Sequence, residues 1–516
     1  MSREYLMGID IGTRSSKGAI VDLKGNIIAK KSLEHDLSKP KQGWFEHDAE
    51  RIWWGDFKTI CRALLSETGI NPNKINAVGC SCLGPAMLPM DRENKPLRPA
   101  ILYGIDTRAS SEIQELNKTI GKRKILQISG NLLTTQSVGP KILWFKKHEP
   151  DLFKRTFKIV TASTYLVYKL TGEYVIDHYT AATFEPLFNL RDLKWGEEMC
   201  EIIGISPQLL PEIHLPTEIA GQVNDIASKE TGLAKGTPVI VGGLDAMMEE
   251  VSAGATEEGE IVLIYGSTMV IFGILREPKI EPSLIFRPFL FPGKYVAVGA
   301  MSTSGILIKW FRDNFAQSEL ELERKMGKNA FDLLSNKTNK IPAGSEGLVV
   351  LPYFSGERTP IWDENARGVI FGLTLYHTKA HIFRAILEGI AYGLLQHLKI
   401  MEGIGLKVKK IKAIGGGTKD ITWTQIISDV TGKKQECMSQ SADAYLGAAY
   451  LAGYGIGIFK DFKPLREEWI KVERIVQPNQ ENWSIYQKYY QIYDGLYERT
   501  KKQMHELSIL TKEIKK

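Results

Sequence analysis

The sequence predicts an α/β protein made of two similar lobes that face one cleft. Strand-like and helix-like stretches alternate through residue 250, the pattern of an α/β domain. A strand, a glycine turn with hydroxyl residues and a second strand open the chain over 8–22, and the same form returns at 258–273, about half a chain later. Between the two openings, Pro238-Val-Ile-Val is a short apolar run that stops at Gly242, Gly243, Leu244 and Asp245. Such a run, bounded by glycine, reads as a buried strand and leaves a lone carboxylate at the strand's end.

In chain order, 5–12 alternates and ends in glycine, which makes a first strand. Residues 13–17 read as a polar bend, 18–22 as the returning strand, Lys24-Gly25-Asn26 as a hairpin turn and 27–29 as a third strand. Asp48 is a helix N-cap, followed by Ile52, Trp53, Phe57, Ile60, Cys61 and Leu64 at helical spacing. A strand over 77–82 leads into Gly84-Pro85. In the second half, 258–266 is a strand, Ser267-Thr268 its bend and 269–273 the return. A loop follows at 356–360, then a helix over 381–401 with Phe383, Ile386, Leu387, Ile390 and Leu394 on one face. A strand over 409–414 ends in Gly415-Gly416-Gly417, and Asp420 or Thr422 caps the next helix, which Gly432 closes. An alanine-rich helix covers 442–452, and the chain from about Trp483 onward is helical with a solvated, lysine-rich end. The resulting division is a lobe over 1–249, a lobe over 250–480 and a helical basic tail over 481–516.

Composition bounds the function. The chain has 516 residues, 43% apolar and 24% charged, as an ordinary globular protein does. A net charge of +6 is mild over this length and argues against nucleic acid as the partner. Without an apolar run of ~18 residues no membrane span is expected. The five cysteines are odd in number and lack CxxC spacing. Together with the missing apolar leader they point to reduced thiols in a cytoplasmic protein.

Three glycine bends each close a strand: Gly12-Thr13, Gly266-Ser267-Thr268 and Gly415-Gly416-Gly417. Glycine lets phosphate oxygens reach backbone N–H groups, and neighbouring hydroxyls add donors. Neither a P-loop nor a dinucleotide fingerprint is present. Asp10, beside the first bend, suits Mg²⁺, which takes one or two carboxylates plus water and phosphate oxygens. Asp245 is placed to act as a base on a small hydroxyl substrate. Phosphoryl transfer asks for little more than these groups, and Lys17 adds charge near the phosphates.

These residues resemble the FGGY carbohydrate kinases, and within them the xylulokinase-like branch, from about Tyr5 to Gly457. The motifs are Gly8-Ile-Asp-Ile-Gly-Thr13, Gly43-Trp-Phe-Glu-His-Asp48, Gly130-Asn131-Leu132, Pro140-Lys-Ile-Leu-Trp144, Gly356-Glu-Arg-Thr-Pro360, Gly368-Val-Ile-Phe-Gly-Leu373 and His381-Ile-Phe-Arg-Ala-Ile-Leu-Glu388. The resemblance implies two actin-like, ribonuclease-H-like lobes with ATP and Mg²⁺ in the cleft and transfer of the γ-phosphate to a sugar, polyol or sugar-acid hydroxyl. It also implies Asp245 as catalytic base, Asp10 as the metal-site acid and Thr13 as the phosphate-loop threonine. Gly266, Ser267 and Thr268 match the γ-phosphate loop, and Gly416 and Gly417 the adenosine site. A small-molecule partner and a homodimer are the family's pattern. Two departures fall on the substrate side. Gly84-Pro85 stands where xylulokinases carry Met-His, and Ala246 where Asn or Gln follows the catalytic acid. The remaining polar candidates there are Asp106, Arg108 and Gln136, the first two being either sugar ligands or a structural salt bridge. The alternatives are a kinase of another substrate of the family, such as glycerol or gluconate, and a non-catalytic sugar or nucleotide sensor on this fold.

Overall fold

The computed structural model describes residues 4–277, 279–439 and 443–514. Strands β1 (Tyr5–Ile11), β2 (Ser15–Asp22) and β3 (Ile27–Glu34) form an antiparallel meander. The first bend is tighter than expected. Gly12 N–H donates to Ser15 O at 3.0 Å, so Lys17 lies on β2, opposite Asp10. β3 runs on to Glu34 because only one face of it is wet; its side chains alternate between half-buried and exposed, and the lysines and glutamate on it mask a strand. Asp48 accepts from Arg51 N–H and caps a short π turn that leads into helix α1 (Gly55–Thr68).

β4 (Ile75–Cys82) lies parallel to β1, and β5 (Ile219–Gln222) and β6 (Pro238–Ile240) extend the sheet, giving the order β5-β6-β4-β1-β2-β3. The apolar run at 238–241 then kinks. Gly242 has φ +67°, and a Cβ there would lie 2.3 Å from Cys80 O, so glycine is required. The chain rejoins β4 as the two-residue β7 (Gly243–Leu244) and turns at once into helix α2 (Asp245–Ser252). Asp245 therefore ends a strand and opens a helix.

The second half repeats this plan. Strands β8 (Glu260–Tyr265), β9 (Met269–Leu275), β10 (Ile285–Pro288), β11 (Tyr295–Met301), β12 (Lys410–Ile414), β13 (Gln435–Met438) and β14 (Val472–Val476) pair in the order β10-β11-β9-β8-β12-β13-β14. β8, β9 and β11 form an antiparallel meander like β1, β2 and β3, while β12 runs parallel to β8 as β4 does to β1. β13 then matches β6 and β14 matches β5, in the same sense of pairing. The edge strand alone is supplied from the opposite chain direction: β5 precedes β6, but β14 follows β13.

Helices α3 (Gly305–Phe315), α4 (Lys379–Gly403), α5 (Ile421–Thr431), α6 (Ala444–Gly455) and α7 (Gln480–Ile514) belong to the second half of the sequence. Asp420 caps α5 by accepting from Trp423 N–H. The expected start of α6 at Ala442 lies outside the described residues. α6 crosses onto the first half's sheet. A Cβ on Gly8 would sit 1.8 Å from Tyr445 O, one on Gly79 2.1 Å from Ala448 O, and one on Gly447 2.1 Å from Met248 O. Backbone meets backbone at each crossing, and Leu6, Ala19, Val21 and Ala77 of the sheet share one apolar layer with Tyr445, Ala448 and Ala449. Two polar clasps also join the halves. The Asn131 amide accepts from Phe286 N–H (2.8 Å) and donates to Phe286 O (3.0 Å), and Arg287 pairs with buried Glu185 at 2.9 Å.

The segment expected as a basic tail over 481–516 is, in its described part, helix α7, and its inner face is core. Tyr486 and Tyr493 are buried against Tyr392, and the Tyr486 hydroxyl donates to Glu388 Oε1 at 2.9 Å. Its tyrosines mark that inner face; the lysines occupy the outer one.

Candidate active site

Parallel strands β1, β4 and β7 end side by side, and ligands gather at the carboxyl ends of such strands. Asp10 pairs with Ser81 on one side of β4, and Gly243 pairs with Ser81 on the other. Ser81 Oγ donates to Asp10 Oδ1 at 2.7 Å. Asp245 follows two residues after Gly243 and accepts from Ala246 N–H at 2.8 Å. Burial pushes the Asp10 carboxyl up to about 6, against the Ser81 hydrogen bond and the Lys17 charge. Burial pushes Asp245 up to about 7, with the Asp10 charge acting in the same direction. Glu249, one turn further along α2, is raised to about 8 by burial and then by Asp245, Asp10 and Asp443. These carboxylates therefore share one field of mutual repulsion. Lys17 is held by Asp443 at 3.3 Å and lowers that repulsion from β2.

Each half presents a glycine turn with its carbonyls tied back. In the turn after β1, Gly12 O meets His35 Nε2 at 3.2 Å and Thr13 O meets His47 Nε2 at 3.2 Å. In the turn after β8, Gly266 O accepts from Gly305 N–H (3.0 Å), and Ser267 O accepts from Ser304 N–H (3.1 Å) and Ile306 N–H (3.0 Å). Backbone carbonyls fixed behind a tight turn leave its N–H groups facing the other way, the arrangement of an anion nest. The N–H groups of Thr13, Arg14, Ser267 and Thr268 have no backbone partner among the described residues.

Gly416 and Gly417 line a cavity of about 450 Å³ with Tyr265, Gly266, Ser267, Gly305, Phe331 and Trp423. Gly415 has φ +98°, and a Cβ on Gly417 would meet the Trp423 ring at 2.4 Å. The glycines thus open room above an aromatic floor, and Trp423 Nε1 is buried without a partner among the described residues. A cavity of this size, mostly apolar with a few polar groups, suits a nucleoside.

The sugar-side candidates divide. Asp106 and Arg108 have no exposed side-chain surface and pair with each other at 2.7 Å. Arg108 also meets Glu46 at 2.8 Å and lies over the Trp44 ring at 4.1 Å, and Phe45 N–H donates to Asp106 at 2.7 Å. Of the two readings the sequence allows for them, the structure shows the salt bridge. Gln136 Oε1 accepts from Gly104 N–H at 3.2 Å and so supports the loop that carries Tyr103. Gly84 packs on Leu244, the residue before Asp245; a Cβ there would lie 2.0 Å from Leu244 Cδ2. Gly84-Pro85 is therefore an apolar wall beside Asp245.

Sequence reading missed several neighbours of the site. Tyr103 hydroxyl bonds Thr13 Oγ1 at 2.8 Å and lies in the field of Asp245. Glu249 and Asp443 add to the acidic field, and His35 and His47 back the first turn. The His-Asp of the 43–48 motif was a usable signal for His47; nothing local marked His35 or Tyr103.

A doubled actin-like sheet, a strand-end acid, a tied-back glycine turn in each half and a cavity beside the second turn are the parts of a two-lobed α/β phosphotransferase. The FGGY family of carbohydrate kinases matches by its N-terminal domain over residues 5–252 and by its C-terminal domain over 261–456. The chain is 29% identical to the xylulose kinase of Staphylococcus epidermidis, over 99% of this chain and all of that one. It is 30% identical to the gluconokinase of Bacillus subtilis, over 89% of each. A ligand-bound xylulose kinase from Lactobacillus acidophilus superposes with a TM-score of 0.90 at 26% identity, covering 98% of this chain and 99% of that one. The chain belongs to the FGGY family of carbohydrate kinases. It is an ATP-dependent carbohydrate kinase. Among the described residues, no helix is long and apolar enough to cross a membrane.

Proposed function

We propose that this enzyme transfers the γ-phosphate of ATP to a hydroxyl of an open-chain ketose, polyol or sugar acid, with Asp245 as the base. The observation that carries the assignment is the row Asp10, Ser81, Gly243, with Asp245 two residues beyond it at the carboxyl end of parallel strands. The hydroxyl proton passes to Asp245 while its oxygen bonds the γ-phosphorus; the bond from that phosphorus to the bridging oxygen breaks, and ADP leaves. The N–H groups of the turns at 12–14 and 266–268 hold phosphate oxygens, with Thr13, Ser267 and Thr268 adding hydroxyl donors and Lys17 adding charge. Gly416 and Gly417 admit the adenosine.

The acidic field fits a hard divalent cation. Asp10 keeps one carboxylate oxygen beyond the Ser81 bond, and a cation there would offset the burial and the Asp443 charge that disfavour its ionised form. Mg²⁺ takes one or two carboxylates plus phosphate and water, so a single carboxylate such as Asp10 can suffice as its protein ligand. Asp10 would hold Mg²⁺, which when bound neutralises charge on the transferring phosphate. Neutralisation beside Asp245 also favours its ionised, basic form.

The substrate wall favours neither xylulose nor gluconate outright. Gly84, Pro85 and Ala246 offer no side-chain hydrogen bond, so Tyr103, the Gln136 amide and Asp245 carry the polar recognition. We also read the enzyme as cytoplasmic, serving xylose-type carbohydrate metabolism, acting on small molecules and not on nucleic acid or membranes, and assembling as a homodimer. Light scattering of the eluted protein tests the last point. ADP release measured against ketoses, polyols and aldonates tests the first. One class should stimulate release strongly. Silence on every compound, with ATP still bound, would return the chain to the sensor reading.

A further inference from the structure

The site already described leaves a second cluster unused, directly behind the first phosphate turn. His35 Nδ1 meets Asp56 Oδ2 at 2.8 Å, and its Nε2 meets Gly12 O at 3.2 Å. A carbonyl oxygen only accepts, and Asp56 Oδ2 already accepts from Ser16 Oγ at 2.6 Å. Both ring nitrogens of His35 therefore face acceptors, and only an imidazolium, with two N–H donors, completes both bonds. His47 differs. Trp53 Nε1 donates to His47 Nδ1 at 3.2 Å, which fixes the neutral tautomer whose Nε2–H donates to Thr13 O. The two rings sit edge to face with centroids 5.2 Å apart. Burial pushes His47 down to about 4, and the charge of its neighbour acts in the same direction.

The geometry points to His35 as a positioning residue, an imidazolium held by Asp56 that ties back the carbonyl of Gly12 and keeps the N–H groups of the 12–14 turn aimed at the nucleotide's phosphates. This rests on the reading of that turn as a phosphate site. His35 touches no substrate; it acts through the turn. The His35 side chain is 5% exposed and that of Asp56 16%, so the pair is shielded from salt. The charged and titratable groups around it are Asp56 and Arg51 from the α1 side, His47, and Arg14, Glu34 and Asp36 around the open depression at its edge. Loss of the proton removes one of the two donors. The Asp56 carboxylate holds the one that remains, and Gly12 O is released.

The experiment measures binding of AMP-PNP with Mg²⁺, and of adenosine as a phosphate-free control, to the full chain at several values between about pH 5.5 and 8.5, where an imidazole changes charge. His35→Phe should weaken AMP-PNP about tenfold at the acid end, the scale of a lost charged hydrogen bond. Adenosine affinity should stay within twofold. The ratio of wild-type to variant affinity, in which the ligand's own titration cancels, should fall toward unity as pH rises. His35→Gln, which keeps one donor that does not titrate, should recover part of the loss, and its affinity relative to His35→Phe should not change with pH. The paired variant His35→Phe with Asp56→Leu removes the stranded carboxylate, so it reports even if the single variant is unstable, and it should match the single variant's loss. Unchanged AMP-PNP affinity, or a loss that is flat with pH, overturns the inference while leaving the kinase reading intact. A wild-type chain that binds neither probe overturns both.

Discussion

The turn after β1 and the turn after β8 occupy equivalent places in two sheets that share a five-strand core plan, yet they are secured by different chemistry. Two histidine side chains hold the carbonyls of Gly12 and Thr13, whereas the first residues of α3 hold those of Gly266 and Ser267 through main-chain N–H groups. The surroundings differ in the same way. The first turn lies beside Asp10, Asp245 and Glu249, all raised first by burial, Asp245 further by Asp10, and Glu249 by both. The second lies over an aromatic floor of Tyr265 and Trp423. One scaffold therefore sets raised carboxyls beside one turn and an aromatic-floored cavity beside the other.

The contrast breaks if the chemistry is not confined to the first half. Asp245→Asn should lower kcat about a thousandfold, as loss of a general base does, with ATP affinity within twofold. Rapid-quench or coupled assays with a working sugar check this; residual turnover of more than a few per cent refutes the base. Second in size, Gly305→Val should raise the KM for ATP at least about tenfold, because even a Cβ at 305 would lie 2.5 Å from Gly266 O and must push α3 off its turn. The sugar KM should hold.

A pH experiment sharpens the comparison. Asp10, Asp245 and Glu249 have folded pKa values above their unfolded ones, so the native state binds more protons, and stability falls as pH rises. The metal-free chain should therefore melt lower at pH 8 than at pH 5, and Asp10→Asn should flatten the slope by removing one charge that raises the others. Glu357, in the second half, is raised to about 7 by burial and adds to the slope; Glu357→Gln separates its share. The smallest effect is expected at the substrate wall. Ala246→Asn adds one side chain able to hydrogen-bond a sugar, worth about fivefold in sugar KM and nothing in ATP KM.

How much of this the sequence shows depends on whether a signal is local. The strand–turn–strand units, the capped helix after Asp48 and the run into Asp245 are written in contiguous residues, and the structure keeps them. The polar bend at 13–17 shrinks to 12–14 because a hydrogen bond to Ser15 O, not composition, decides where the turn closes. The burial of Asp106 and Arg108 depends on Trp44, Glu46 and Trp144, distant in sequence, so the choice between ligand and salt bridge was not readable locally. His35 looks like any surface histidine until β3 brings it behind Gly12. Tyr103 gains meaning only from Thr13, ninety positions earlier in the chain. The tyrosines of 481–516 do alternate with charge, but only packing against Tyr392 shows that they are interior.

The crossing of α6 over Gly8 and Gly79 has a practical consequence for anyone dividing the gene. A fragment stopped at the first family boundary would expose Leu6, Ala19, Val21 and Ala77, the stripe that the late helix normally roofs. Such a piece is expected to precipitate when produced alone and to be rescued when residues 443–457 are supplied in trans. The two halves are duplicates in plan, but the late helix of the second completes the core of the first.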